Sequence, residues 1–310
     1  MRRLAPLFAP LLAACTAPVA REGQGPSLVS LNPCTDAILA EVADPGQLLA
    51  ISSYSQDPQS SSMDLARARR MRAISGTVEE VAALRPDVVV GSTFTAPATK
   101  AAFARMGFRF EPFGLAGNVE ESLAQVRALA RIAGHPERGE ALVRRIEDSL
   151  AAARTDDPAI PAIVWQSGGI VPGQGTLITD LLARTGFVNA AAQRGLRQAD
   201  MLPLEDMLLH PPRLILAAGN PQAEEDRLLH HPALSALKGT RRERLDPLLL
   251  WCGGPTIPRT VARLVEVRRA MSGRVRGAST GSARAGIGVV PQPKGPLGLS
   301  LSKPRHGAGL

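Results

Sequence analysis

The sequence predicts an α/β protein of two Rossmann-like lobes, each built on a central parallel sheet and joined by a long spine helix. Three observations carry this. First, one pattern occurs twice: Val78-Glu79-Glu80-Val81, Leu84, Pro86 and Val88-Val89-Val90 are echoed by Leu204-Glu205-Asp206-Met207, Leu208, Pro212 and Leu214-Ile215-Leu216. In each copy an acidic residue stands seven positions before a proline, and three apolar residues begin two positions after it. Such a unit reads as a short helix, a proline stop and a strand buried on both faces. Second, short apolar runs alternate with helical patterns, as a parallel sheet covered by helices requires. Third, the middle of the chain keeps helical spacing for about 30 residues, which at roughly 1.5 Å each crosses a whole domain.

The elements follow in order. Met1-Arg2-Arg3 and the apolar stretch Leu4–Ala14 read as an export signal, too short to span a bilayer. It closes on Leu12-Ala13-Ala14-Cys15, which resembles the lipobox of bacterial lipoproteins; that resemblance implies lipidation of Cys15 and a hold at a membrane surface. An ordinary cleaved signal with an incidental cysteine is the alternative. Residues 16–26 are small and polar, a tether. The first lobe, 27–117, opens with the run Leu28–Leu31, a helix over Ala37–Val42 and a strand over Leu48–Ile51. The first repeat unit follows with a strand over 87–90, then a helix over 97–106 and a strand over 108–111. The spine, 118–155, pauses at Gly134-His135-Pro136, and two separate surface helices of the first lobe are the alternative reading. The second lobe, 156–272, has a strand over Ala162–Trp165, a glycine-rich loop Gly168–Gly175 and a helix over Thr176–Arg184. The second repeat unit then gives a strand over 213–216, followed by a last strand over Leu245–Leu250 and a last helix over Pro258–Met271. Residues 273–310 lack periodicity and read as a disordered tail.

Composition removes several classes. The chain has 310 residues, 45% hydrophobic and only 3% aromatic, and a formal net charge of +8. Arg2, Arg3 and six basic residues beyond position 272, where no Asp or Glu occurs, account for all of that charge. The body is formally neutral, so no surface for nucleic acid is expected. Walker, HExxH and CxxC signatures are absent, and no enzymatic activity or resident cofactor or metal is expected. Gly173-Gln174-Gly175 is a dinucleotide fingerprint without its third glycine and reads as a plain turn. His230-His231 has no metal-binding spacing.

What remains are the loops at the carboxyl ends of the strands, where α/β sheets bind ligands. In the first lobe these carry Cys34, Ser53, Tyr54 and Phe94; in the second, Trp165, Gln166, Gly219-Asn220, Trp251 and Cys252. Hydroxyls, amides and rings facing each other across a cleft suit a bulky, partly polar ligand. After removal of the signal, Cys34 and Cys252 are the two cysteines outside Cys15. An interlobe disulfide, a soft-metal or ligand contact, and two unrelated thiols are all open readings.

These residues resemble the periplasmic substrate-binding proteins of ABC importers for cobalamin and iron complexes, over about residues 27–272. The likeness rests on Leu28 to Asp36, Ser52-Ser53-Tyr54-Ser55, Glu79 with Leu84, Pro86 and Asp87, and Glu205 with Pro212. It implies a monomeric, periplasmic receptor that binds a metal chelate of the iron-siderophore, heme or cobalamin class between its lobes. It also implies that Glu79 and Glu205 dock onto arginines of a membrane permease and that Tyr54 lines the cleft. Ser92, Ser167 and Ala199 stand where the cobalamin binder has aromatic residues, a departure that weakens that ligand. Trp251-Cys252-Gly253-Gly254-Pro255 with Cys34 is similar to a branch associated with iron complexes. The alternatives are an exported cysteine-dependent metal-binding or redox enzyme, and a ligand sensor domain.

Overall fold

A computed structural model describes residues 25–219 and 231–280, with side chains to residue 272. The signal 1–15 with Cys15, the tether up to residue 24, Asn220, His230 and residues 281–310 of the tail lie outside the described residues. The chain divides into two compact units, the first ending at Arg269 and holding both lobes.

The first lobe runs β1 (Leu28–Ser30), α1 (Pro33–Val42), β2 (Leu48–Ser52), a 3-10 turn (Ser53–Gln56), α2 (Leu65–Ala68), β3 (Ala73–Ile74), α3 (Val78–Leu84), β4 (Val88–Ser92), α4 (Pro97–Arg105) and β5 (Arg109–Phe113). Its five strands pair in parallel in the order β3-β2-β1-β4-β5. After α5 (Val119–Ile132) and α6 (Pro136–Ala152), the second lobe runs β6 (Ile160–Gln166), β7 (Ile170–Val171), α7 (Leu177–Arg184), β8 (Phe187–Asn189), α8 (Ala190–Gln193), β9 (Asp200–Met201), α9 (Leu204–Leu209), β10 (Leu214–Ala218), α10 (Pro232–Ser235), β11 (Arg241–Arg244), α11 (Leu248–Trp251) and α12 (Thr256–Thr280). Its main sheet is also parallel, in the order β11-β10-β6-β8, and β7 pairs antiparallel with β9.

Apart from β3, an extra edge strand of the first lobe, the two orders are one topology. In each lobe the first strand is interior, the next main-sheet strand of the shared pattern lies on one side, and two later strands lie on the other. The duplicated units, α3–β4 and α9–β10, therefore occupy the same place in their lobes. Val88, Val89 and Val90, and Leu214, Ile215 and Leu216, are all buried, because an interior parallel strand is covered on both faces.

Three elements differ from the sequence expectation. The spine over 118–155 is two helices, not one. Gly134 takes a left-handed conformation (φ 82°), and the chain turns back so that α6 lies along α5. At the crossing Gly139 meets Ala130, where an added Cβ would stand 2.5 Å from the Ala130 methyl, and Arg127 pairs with Glu140. Beside the first lobe, α6 is held by Arg138 to Asp44 and by Arg145 to Glu41. The first turn of α5 is held to the second lobe, since the Val119 N–H donates to Asp180 and Glu120 pairs with Arg184.

The last strand is Arg241–Arg244, and the apolar run Leu245–Leu250 instead leads into the helix α11. An edge strand needs little apolar character, and here alternation places Arg241 and Glu243 on one face, where they pair and Arg263 of α12 joins them. Pro247, which lacks an N–H, then precedes the helix. Finally, α12 continues to Thr280, past the expected end at Met271; no proline interrupts the sequence between Pro258 and Pro291.

Candidate functional site

The site is built where β1 hands over to α1. Asn32 is the N-cap of α1, its side chain accepting from the Cys34 N–H at 2.8 Å, and Pro33 fills the first helical position, where no donor is needed. This places Cys34 on the first turn, beyond the carboxyl end of β1. From the other side, Cys252 follows α11. Gly253 lies against Ser122 of α5, and the Gly254 N–H donates to the Ser122 hydroxyl at 2.8 Å. No side chain fits at Gly253 without displacing Ser122. Cys34 and Cys252 form a disulfide with their Cα atoms 5.1 Å apart. Of the three readings open for these cysteines, the structure shows the interlobe disulfide. Neither sulfur is left as a free thiol.

The disulfide forms part of the wall of a cavity of about 200 Å³ between the lobes. The first lobe supplies Gly114, Leu115, Ala116 and Gly117 after β5, with Gln125 from α5. The second supplies Gln166 from the end of β6, the segment Gly175–Ile178, Gln198, and Trp251 beside Cys252. Among the described residues, no acidic or basic side chain lines it.

Of the expected ligand contacts, the structure therefore brings Cys34, Gln166, Trp251 and Cys252 to one cavity. Ser53, Tyr54 and Phe94 do not line it. They are exposed in the segments after β2 and β4, the strands that flank β1, with Tyr54 63% and Phe94 79% accessible. Trp165 is a correction. It is 0% accessible and packs with Ile163, Leu202 and Met207 in the core of the second lobe, so it cannot touch a ligand. The reason is that β6 extends one residue beyond the expected strand. Trp165 still pairs with Ala217 inside the sheet, and Gln166 is the residue that emerges. Leu115, Gln125, Thr176 and Gln198 line the cavity without having been singled out in the sequence. Leu115 alone had a readable signal, an apolar residue in a glycine-bracketed turn directly after a strand.

Beneath the first-lobe rim lies a buried polar cluster. Oδ2 of Asp36 accepts from the Ser52 N–H at 2.9 Å and the Ser55 hydroxyl at 2.6 Å, while Oδ1 is buried with no partner. Burial pushes this carboxyl up to about 7, against the hydrogen bonds from Ser55 and Ser52 and the nearby hydroxyl of Ser30, which pairs with Thr35 at 2.8 Å.

Glu79 and Glu205 each occupy the second position of their helix, are exposed, and form no side-chain hydrogen bond or ion pair with any described residue. Glu80, beside Glu79, is committed to the chain itself. Hydrogen bonds from the Ser75 hydroxyl, the Thr77 N–H, and the Ser75 and Gly76 N–H groups hold its carboxyl down to about 2. Among the described residues, no three His, Cys, Asp or Glu side chains come together as a metal site would need.

Comparison with known proteins agrees with this geometry. The family described as "Periplasmic binding protein" matches residues 28–245. No curated protein matches the sequence. Among solved structures, a periplasmic heme binding protein from Pseudomonas aeruginosa is 24% identical with a TM-score of 0.61, over 78% of this chain and 92% of that one. The periplasmic heme binding protein HutB of Vibrio cholerae is 14% identical with a TM-score of 0.65, over 78% and 98%. The periplasmic vitamin B12 binding protein BtuF of Vibrio cholerae is 18% identical with a TM-score of 0.59, over 78% and 97%. At these identities the likeness shows a shared fold.

Proposed function

We propose that this chain is the solute receptor of an ABC importer, which binds a metal chelate between its lobes and delivers it to a membrane permease. The premise is its membership: the chain belongs to the periplasmic binding protein family, a family of binding proteins and not of enzymes, whose name places its members in the periplasm. The chelate is of the iron-siderophore, heme or cobalamin class, which fits the heme and vitamin B12 named for the structurally similar proteins.

One observation carries the reading. Large apolar side chains are exposed at the carboxyl ends of both sheets: Tyr54 and Phe94 from the first lobe, Leu115 after β5, and Trp251 beside the interlobe cavity. Apolar side chains offered at strand ends around a cleft suit planar or bulky chelates, which present matching apolar faces. Ser53, Gln166 and the disulfide complete the rims. Glu79 and Glu205, exposed and equivalent, offer two charges of one sign to a basic permease surface, which gives register and rate more than raw affinity. A lipid on Cys15 would keep the receptor, as a monomer, at the membrane that holds its permease.

Native mass spectrometry of the protein purified from its own periplasm tests this. A retained corrin, heme or ferric chelate is expected. A protein that carries none and binds neither hemin, cyanocobalamin nor a ferric siderophore would overturn the ligand class.

A further inference from the structure

We propose that Asp36 is a positioning residue for ligand binding, which from the buried beginning of α1 sets the exposed turn that carries Tyr54 at the cleft rim. This rests on the reading of Tyr54 as a ligand contact. The geometry is specific to that turn. A single oxygen, Oδ2, accepts from the Ser52 N–H at 2.9 Å and the Ser55 hydroxyl at 2.6 Å, and these two residues bracket Ser53-Tyr54. The Ser52 hydroxyl accepts in turn from the Tyr54 N–H at 3.3 Å. Just after the turn, the Gln56 side chain donates to the carbonyls of Ala68 and Met71. The turn is thus pinned on both sides of Tyr54, and Tyr54 itself is exposed, so its backbone rather than packing around the ring decides where the phenol stands.

Asp36 has the marks of a group kept for placement and not for stability. It is fully buried, no cation is hydrogen-bonded to it, and its Oδ1 has no partner, each of which makes a carboxylate costly in a protein interior. The Ser30 hydroxyl of β1 stands beside it but pairs with the Thr35 hydroxyl at 2.8 Å. Asp36 also lies two residues after Cys34 on α1, the helix tied to the second lobe by the disulfide. The frame that holds Tyr54 is therefore the frame that sets the interlobe spacing.

Tyr54 is the only tyrosine of the chain, so incorporation of 3-fluorotyrosine gives one fluorine resonance that reports this turn in the whole protein, with no ligand present. Asp36→Asn keeps the side-chain shape but weakens both accepted bonds, and Ser55→Ala removes one donor while keeping the carboxylate. Both are expected to shift or broaden the Tyr54 resonance while the circular dichroism spectrum and the disulfide are retained. Affinity for hemin or cyanocobalamin, whichever the wild type holds, is expected to fall about tenfold in Asp36→Asn. A resonance unchanged in both variants overturns the proposal. Should Asp36→Asn not fold, Ser55→Ala decides. Tyr54→Ala, measured alongside, separates the two failures. If it leaves affinity unchanged, the contact role of Tyr54 is wrong. If it weakens binding and Asp36→Asn does not, the positioning role is wrong.

Discussion

The two helix–strand units stand at equivalent places in their lobes and each seats its helix on one buried apolar residue, Val81 or Met207, yet the two helices begin differently. In the first, α3 is fixed by hydrogen bonds: the Thr77 side chain accepts from the Glu80 N–H, and the Glu80 carboxylate accepts from the Thr77 N–H and the Ser75 hydroxyl. In the second, Pro203 precedes α9 and no side chain caps it. Packing then holds both: Val81 is fully buried with Ile74 and Val89 and has Val78 and Leu84 around it, and Met207 is fully buried with Trp165 and Ile215 and has Leu204 and Leu208 around it. The contrast extends to the lobes. The first buries a carboxylate and several serines under its rim, and the second buries an indole. What the two copies share is the strand core, the buried residue that seats the helix, and the position of one exposed glutamate. What differs is the start of the helix, which a hydrogen-bonded cap holds in one copy and no side chain caps in the other.

The largest expected effect tests the shared feature. Glu79→Ala with Glu205→Ala should abolish uptake of the chelate by cells while leaving its affinity for the purified protein intact. If the units are equivalent in docking, each single variant should reduce transport to a similar degree. Normal uptake by the double variant would remove the docking role altogether.

Next come the two tryptophans of the second lobe. Trp165→Ala should cost about 3–5 kcal/mol in urea unfolding, because it opens a cavity among Ile163, Leu202 and Met207. Trp251→Ala should change stability by no more than about 0.5 kcal/mol, since its ring is 54% accessible, and should instead weaken ligand binding. The reverse pattern would place the ligand against the core side of β6.

The first lobe answers with a pH dependence. Asp36 is raised from 3.8 to about 7 by burial, so between those values the folded protein holds a proton that the unfolded chain has released. Stability should therefore fall as pH rises through that window, by at most about 4 kcal/mol. Asp44, Asp87 and Glu80 act with the opposite sign. Their carboxyls are held low by hydrogen bonds from Arg138, Ser27 and Ser75, so their stabilisation is present above their ordinary values and is lost only at more acid pH. Urea midpoints of wild type and Asp36→Asn should diverge as pH rises from 4 to 7. Parallel curves would mean that Asp36 is ionised throughout.

How much of this was legible follows from what sequence patterns encode. Buried parallel strands are continuous apolar runs, so Val88–Val90 and Leu214–Leu216 could be read directly, and with them the lobes. The exposed glutamates came with the repeat. Arg241–Arg244 could not be read, because an edge strand can satisfy itself with paired charges and needs no apolar signal. Trp165 was misplaced by one residue of strand length, which at a strand end decides between core and cleft. The return of the chain at Gly134 was visible as a pause, but whether two helices continue or fold back depends on the close approach at Gly139, a tertiary fact. The residues of the Asp36 cluster stood out only through the family resemblance, which rests on Leu28 to Asp36 and Ser52-Ser53-Tyr54-Ser55; that they meet in one buried network is a tertiary fact that spacing does not encode.

The smallest effect sharpens the contrast between the units most directly. Thr77→Ala removes the side chain that accepts from the Glu80 N–H and frees Glu80 from its reciprocal arrangement, at a cost of about 1 kcal/mol. No matching substitution exists before α9, because Pro203 makes no side-chain cap; Pro203→Ala should move stability by less than about 0.5 kcal/mol. The informative quantity is transport, not stability. If a hydrogen-bonded platform is what presents Glu79, Thr77→Ala should lower uptake to nearly the level of Glu79→Ala at a temperature where the protein is still folded. If Glu79 docks simply as a charge on a solvated helix end, uptake should be unaffected, and the capping network would belong to folding alone.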